Sequence, residues 1–174
     1  MEDTLERLKN RSPSEEKPLG GFYKDGFPVI LFEPHIFHRY TNGKYATSHP
    51  HLSYPTWGQR PYPNTAGVRK NFEEACTLDR DAAIQSTSFG LFQVMGFHWK
   101  TLGYMSPSHY FDCMCKSENE QLMAFTLFVQ KNNLGPKLKA HDWAGFARGY
   151  NGAGFAKNQY DTKMAAAYNK LKGG

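Results

Sequence analysis

The stretch from Ser117 to Lys131 constrains this chain more than any other. Ser117 and Glu120 stand at the spacing of a capping box, in which the serine hydroxyl accepts from a first-turn amide and the glutamate reaches back, so a helix starts there. Beyond the cap, Leu122, Met123, Phe125, Leu127, Phe128 and Val129 fall on nearly every side of a 3.6-residue spiral. A helix that is apolar all round has no face to give to water, so it is expected at the centre of a domain, with other elements wrapped about it. The 174 residues suffice to supply those elements within one domain and one real core.

From Gly67 onward the chain reads as helical. Val68–Leu78 and Asp79–Ser86 are expected as one helix or two short ones, Phe97–Leu102 as a short helix, and Ser106–Cys115 as one opening on Ser-Pro. Asp142–Tyr150 and Gln159–Leu171 are amphipathic and are joined by the glycine-rich Asn151-Gly-Ala-Gly154. Nearer the N-terminus, Lys24-Asp25-Gly26 signals a turn, and Pro28-Val-Ile-Leu-Phe32 reads as a strand ended by Glu33-Pro34-His35. Residues 1–14 are polar, and Ser12-Pro13 with Glu15 marks a helix start that Pro18 and Gly20-Gly21 soon stop. Residues 41–65 are rich in Pro, Gly, Asn, His and Tyr and show no period; a loop this long inside a compact domain is functional or poorly ordered. The expected fold is mostly α (α+β): one domain over residues 1–174, with a buried central helix and a small β element.

Charge and cysteine usage narrow the partners. The net charge of +5 favours an anionic polymer or surface, and no nucleic-acid-binding motif accompanies it. Cys76, Cys113 and Cys115 cannot all pair, which suits a protein made in a reducing cytosol. No N-terminal stretch resembles a signal peptide, and no segment is long and apolar enough for membrane insertion. Thirteen Phe, ten Tyr and three Trp are enough both to fill a core and to line a cleft for flat-faced ligands such as sugars.

Within Gln85–Gly96, Ser86-Thr-Ser88-Phe89-Gly90 runs into an apolar segment broken by one amide, Gln93. An amide there is costly unless its donors and acceptor are satisfied. It is therefore either a core glutamine bonded to backbone or a cleft residue held by apolar neighbours. His35/His38 and His49/His51 are the pairs that raise the question of zinc, but no carboxylate completes a ligand set, so no metal is expected.

Four blocks in order carry a resemblance. They are Gly21-Phe22-x3-Gly26-x-Pro28-x-Ile30-Leu31-Phe32-Glu33-x-His35, Ser86-x-Ser88-Phe89-Gly90-Leu91-Phe92-Gln93-Val94-Met95-Gly96, Asp142-Trp143-x2-Phe146-Ala147-x2-Tyr150-Asn151-Gly152 and Asn158-x-Tyr160-Asp161. Over roughly residues 15–172 the chain resembles the N-acetylmuramidase domain of phage endolysins, which has a lysozyme-like fold. The middle and last blocks are also similar to elements of goose-type lysozymes and lytic transglycosylases.

The resemblance implies a hydrolase of the β-1,4 bond between N-acetylmuramic acid and N-acetylglucosamine in bacterial peptidoglycan, working without a cofactor or metal. A sugar oxygen is a poor leaving group until a carboxylic acid protonates it, and a second carboxylate or a positioned water then meets the oxocarbenium-like centre. In the family the acid lies six residues before the Gly-Phe phenylalanine, which is Glu16 here; read without the resemblance, Glu16 is a solvated glutamate beside Glu15. Glu33 is the candidate second carboxylate, or else a glutamate that only bonds backbone amides or a nearby arginine. Ser88 and Gln93 are expected on the cleft floor, Phe89 as an aromatic wall, and Tyr150 and Asn151 flanking the acid at a helix end where asparagine tolerates left-handed backbone. The positive charge is expected to bring the enzyme, as a monomer, to anionic envelope polymers, after synthesis in the cytoplasm and release through a separate pore. Two alternatives stand beside hydrolysis: a lytic transglycosylase forming 1,6-anhydromuramic ends, and a catalytically weak peptidoglycan-binding module.

Overall fold

The computed structural model of the chain describes residue 18 and residues 20–173. The helix start expected at Ser12-Pro13, together with Glu15 and Glu16, lies outside them. The chain forms two compact units, one ending at Phe125 and the other running from Thr126 to Gly174.

The first unit is built on a small antiparallel sheet. Strand β1 covers Ile30–Phe32, shorter than expected because Pro28, which lacks an N–H, makes only an isolated bridge to Phe22. Strands β2, Thr87–Phe89, and β3, Val94–Met95, complete the order β1-β2-β3, with Leu31 opposite Ser88 and Ser88 opposite Met95. These two strands lie where the pattern after Gly67 read as helical. The backbone between them rules helix out, since Gly90 and Gln93 both take positive φ, 73° and 51°.

Helices fill the remainder. Glu33-Pro34 does end the strand, but Pro34 also opens an unforeseen helix α1, Pro34–Tyr40, occupying an early position where no N–H is needed. Helices α2, Thr65–Leu78, and α3, Arg80–Gln85, are separate, because Asp79 leaves helical geometry and caps α3 by accepting from the Ala82 amide at 2.9 Å. The expected helix at Phe97–Leu102 is instead a 3-10 turn, Gly96–His98. Helix α4, Pro107–Met114, is capped by Ser106 as its Ser-Pro start foretold.

Helix α5, Glu118–Lys131, begins where the capping box placed it, with the Ser117 hydroxyl accepting from the Glu120 amide at 3.3 Å. It buries Gln121, Ala124, Phe128 and Val129, while Leu122 and Met123 stay exposed, so its apolar residues do not all turn inward.

The core of the first unit is aromatic. Phe72, Phe89 and Phe111 are fully buried with ring centroids 5.5–5.9 Å apart, tilted or edge to face, as ring quadrupoles favour. Buried Arg69 lies 4.1 Å from the Phe27 ring centre and pairs with Asp25 and with Glu73 at 2.9 Å, which offsets the cost of a cation so far from water. The stretch between α1 and α2 has neither helix nor strand, yet it is fastened down. Leu52, Ser53 and Tyr54 are buried, and the Tyr45 hydroxyl donates to the Leu78 carbonyl at 2.8 Å.

The second unit contains α6, Gly135–Lys139, α7, Trp143–Asn151, a 3-10 turn, Ala153–Asn158, and α8, Tyr160–Lys172. Asp142 caps α7 by accepting from the Gly145 amide at 2.8 Å. His141 stacks on Trp143 with centroids 5.3 Å apart, and Tyr168 of α8 closes on both rings. Among the described residues of both units, no helix is long and apolar enough to cross a membrane.

Candidate active site

The hairpin of β2 and β3 shows what Gln93 does. Its Oε1 accepts from the Ser88 hydroxyl at 2.7 Å, and its Nε2 donates to the carbonyls of Gly90 at 2.9 Å and Val29 at 3.2 Å. Both amide donors are therefore spent inside the protein, and the half-buried side chain closes its own turn. Of the two readings open for Gln93, the backbone-bonded amide matches these contacts. Ser88 is buried and reaches no further than Gln93.

Phe89 requires a correction. It is 1% exposed, enclosed by Phe72, Tyr110 and Phe111, so it packs the core and offers no wall for a sugar to touch. The pleat accounts for this: β2 is the middle strand, and its residues are buried on both sides.

Sequence reasoning missed the residue that clamps this region. Gln121 of α5 is 1% exposed; its Oε1 accepts from the Leu91 amide at 2.8 Å, and its Nε2 donates to the carbonyls of Met114 at 3.0 Å and Gly21 at 3.4 Å. Glu118, one turn earlier, accepts from the Gly21 amide at 2.7 Å. The approach is too close for side chains. A Cβ on Gly21 would stand 1.9 Å from Gln121 Oε1, and one on Gly90 2.2 Å from its Cδ. Gly21, read from sequence with Gly20 as a helix stop, is thus a point where the chain is fixed to α5.

Glu33 follows directly on β1, its amide bonded to the Ser86 carbonyl at 2.8 Å. The Tyr62 hydroxyl donates to its Oε2 at 2.6 Å, and His35 Nδ1 lies 3.3 Å from the same oxygen. Burial raises the pKa of Glu33 above the ordinary glutamate range, and the Tyr62 hydrogen bond partly opposes the rise. Burial lowers the pKa of His35, which favours neutral imidazole beside the carboxylate. Next to this group lies a cavity of about 460 Å³, lined by Phe32 and Pro34 on one side and by Tyr54 and Tyr62 from the long loop on the other. Tyr62 is the second residue that sequence reasoning missed. The one hint was its setting, Pro61-Tyr62-Pro63, inside a stretch already marked as too long to be a mere connection.

Tyr150 and Asn151 belong to the second unit. Tyr150 stacks on Phe146 with centroids 5.6 Å apart and meets the Phe128 ring edge-on, and burial raises its pKa. Asn151 is exposed and still helical; the left-handed position expected of it falls to Gly152, at φ 79°. Of the other histidines in the two pairs, His38 faces Ser53 at 3.1 Å, and His51 and His49 face Glu74 at 3.2 and 3.9 Å. Among the described residues no group of three or more His, Cys, Asp or Glu side chains is placed to hold a metal ion.

Comparison with known proteins gives this geometry its context. The family model described as Muramidase, N-acetylmuramidase, matches residues 12–172. Among solved structures, the chain is similar to that titled "Crystal structure of Burkholderia AP3 phage endolysin", at 37% sequence identity and a TM-score of 0.79. The match covers 89% of this chain and 61% of that one, so the chain spans less than two thirds of that endolysin's length. A search of curated proteins gave no match.

Proposed function

Because the chain belongs to the N-acetylmuramidase family, we propose that it hydrolyses the β-1,4 bond from N-acetylmuramic acid to N-acetylglucosamine in bacterial peptidoglycan, with Glu16 as general acid. The observation that carries this reading is the match over residues 12–172, which runs through both candidate glutamates. Glu16 gives its proton to the bridging oxygen as the bond from the muramic acid C1 to that oxygen breaks. Water adds to C1, and Glu33 takes the proton that the water loses. Burial suits Glu33 to that role, because a carboxylate with a raised pKa is a stronger base than an ordinary one once pH exceeds that value. Gln93 and Ser88 serve by fixing the hairpin, and Gln121 by fixing Gly21, five residues beyond Glu16.

Attraction to anionic envelope polymers is part of the same reading. In the unit from Thr126 onward, Lys131, Lys137, Lys139, Arg148, Lys157, Lys163, Lys170 and Lys172 face only Asp142 and Asp161 in the charge balance. The net positive charge of the chain is therefore concentrated there.

The test compares Glu16→Gln with Glu15→Gln in a wall-clearing assay, with mass spectrometry of the released fragments. Glu16→Gln is expected to abolish clearing while Glu15→Gln keeps it, and the fragments should end in reducing muramic acid. Full activity in Glu16→Gln would falsify the assignment of the acid. Fragments ending only in 1,6-anhydromuramic acid would show that no water is admitted.

A further inference from the structure

Tyr62 reaches Glu33 from a segment whose backbone has little freedom. In Arg60-Pro61-Tyr62-Pro63 the two prolines fix their own φ at about −65° and disfavour helical backbone at Arg60 and Tyr62. Accordingly, residues 61–64 form neither helix nor strand. Earlier in the same loop, the Tyr45 hydroxyl bonds the Leu78 carbonyl at 2.8 Å, and His51 stands 3.2 Å from Glu74, so the loop is tied twice to α2. The Tyr62 ring is 41% exposed, so packing alone does not hold it. Its hydroxyl nevertheless sits 2.6 Å from Glu33 Oε2, the length of a bond donated to a charged oxygen.

That bond makes the two carboxylate oxygens unlike. Oε2 accepts from Tyr62 and has His35 Nδ1 3.3 Å away, while among the described residues no hydrogen bond reaches Oε1. A general base must aim a lone pair at the proton it removes. The last torsion of a glutamate is broad, so an untethered carboxylate aims neither oxygen. Fixing Oε2 limits that rotation and leaves Oε1 as the open acceptor. Burial, and then the bond to Glu33, raise the pKa of Tyr62, so the phenol keeps its proton and stays the donor. We propose that Tyr62 is a positioning residue for hydrolysis, holding Oε2 of Glu33 so that Oε1 takes the proton of the attacking water. The water oxygen bonds to C1 as its proton passes to Oε1, and the Tyr62 proton remains on the phenol. This role rests on the reading of Glu33 as the base, whereas the hydrogen bond and the unlike oxygens do not. The other titratable groups beside Glu33 are His35 from α1 and Tyr54 from the loop, with Arg39 acting on His35 and Arg60 on Tyr54.

The test is Tyr62→Phe, which keeps the ring and removes only the hydroxyl. Glu33 is titrated in the full chain by carboxyl-carbon NMR, its signal identified by its absence in Glu33→Gln. The Tyr62 bond lowers the pKa of Glu33, so Tyr62→Phe is expected to raise it. A base works only when deprotonated, so the acid limb of kcat/KM in wall digestion should move to higher pH by the same amount. At the optimum, kcat should fall about tenfold to hundredfold with KM little changed, the mark of a misaimed group. A hydroxyl lost from an exposed ring should leave the melting temperature near that of the parent. A Glu33 titration unchanged by Tyr62→Phe overturns the proposal. So does parent kcat and parent pH profile in Tyr62→Phe while Glu33→Gln is inactive, and in that case Glu33 remains the base. Wall digestion at the parent rate by Glu33→Gln removes the base itself, and the positioning role falls with it.

Discussion

The clamp formed by Gln121 makes a quantitative demand that a double-mutant cycle can meet. Gln121→Ala deletes three hydrogen bonds, to the Leu91 amide and to the Met114 and Gly21 carbonyls. At about 1 kcal/mol net for each, the cost is about 3 kcal/mol, enough to lower the melting temperature of a chain this long by roughly 6–12 °C. Gly90→Ala has two separable costs. Its φ of 73° penalises any L side chain by ~1–2 kcal/mol, and its new Cβ would stand 2.2 Å from Gln121 Cδ, forcing that buried side chain off its partners. With Gln121 in place the substitution should therefore cost about 4–5 kcal/mol. In the Gln121→Ala background only the backbone penalty remains. The double variant should thus be more stable than the sum of the single losses by about 3 kcal/mol, measured by urea unfolding of all four proteins. Additivity to within about 0.5 kcal/mol refutes the clamp. Activity adds a second reading: if Gly21 positions the segment that carries Glu16, then Gln121→Ala lowers kcat by more than its unfolded fraction explains.

Two further predictions follow from charge. The folded pKa of Glu33 lies above the unfolded glutamate value of 4.5, so its penalty on stability is absent below the unfolded value and grows as pH rises through the folded one. Glu33→Gln should match the parent in acid and become the more stable protein towards neutral pH in thermal melts; an advantage largest in acid contradicts the burial argument. The lysine-rich unit after Thr126 should make wall binding salt-sensitive, because the screening length falls from about 10 Å to about 3 Å between 0.1 M and 1 M salt. Sedimentation of protein with purified walls across that range tests this, and retention unchanged at 1 M salt shows that the lysines do not drive binding.

What was legible in the sequence was what short-range chemistry decides. Ser106, Ser117 and Asp142 mark helix starts because a cap bonds amides two or three residues away, and those helices lie where the caps place them. The four spaced blocks likewise sufficed to find the family. What escaped depends on partners far along the chain. The hairpin after Thr87 is held by Val29, 64 residues before Gln93, and by Gln121, 30 residues beyond Leu91. Phe89 was expected as a cleft wall from the resemblance alone, and the rings that bury it, Phe72, Tyr110 and Phe111, come from other elements of the chain. Tyr62 lies 29 residues from Glu33 across a loop without periodicity, so no local signal joined the two.

The smallness of the sheet has a consequence for handling the protein at high concentration. Its edges are β1 and β3, of three and two residues, and open backbone amides and carbonyls on an edge strand are what recruit another chain into a growing stack. Edges this short give an incoming strand almost nothing to pair with. The native protein should therefore stay dispersed when concentrated, and precipitation during heating should follow the loss of the aromatic core rather than precede it.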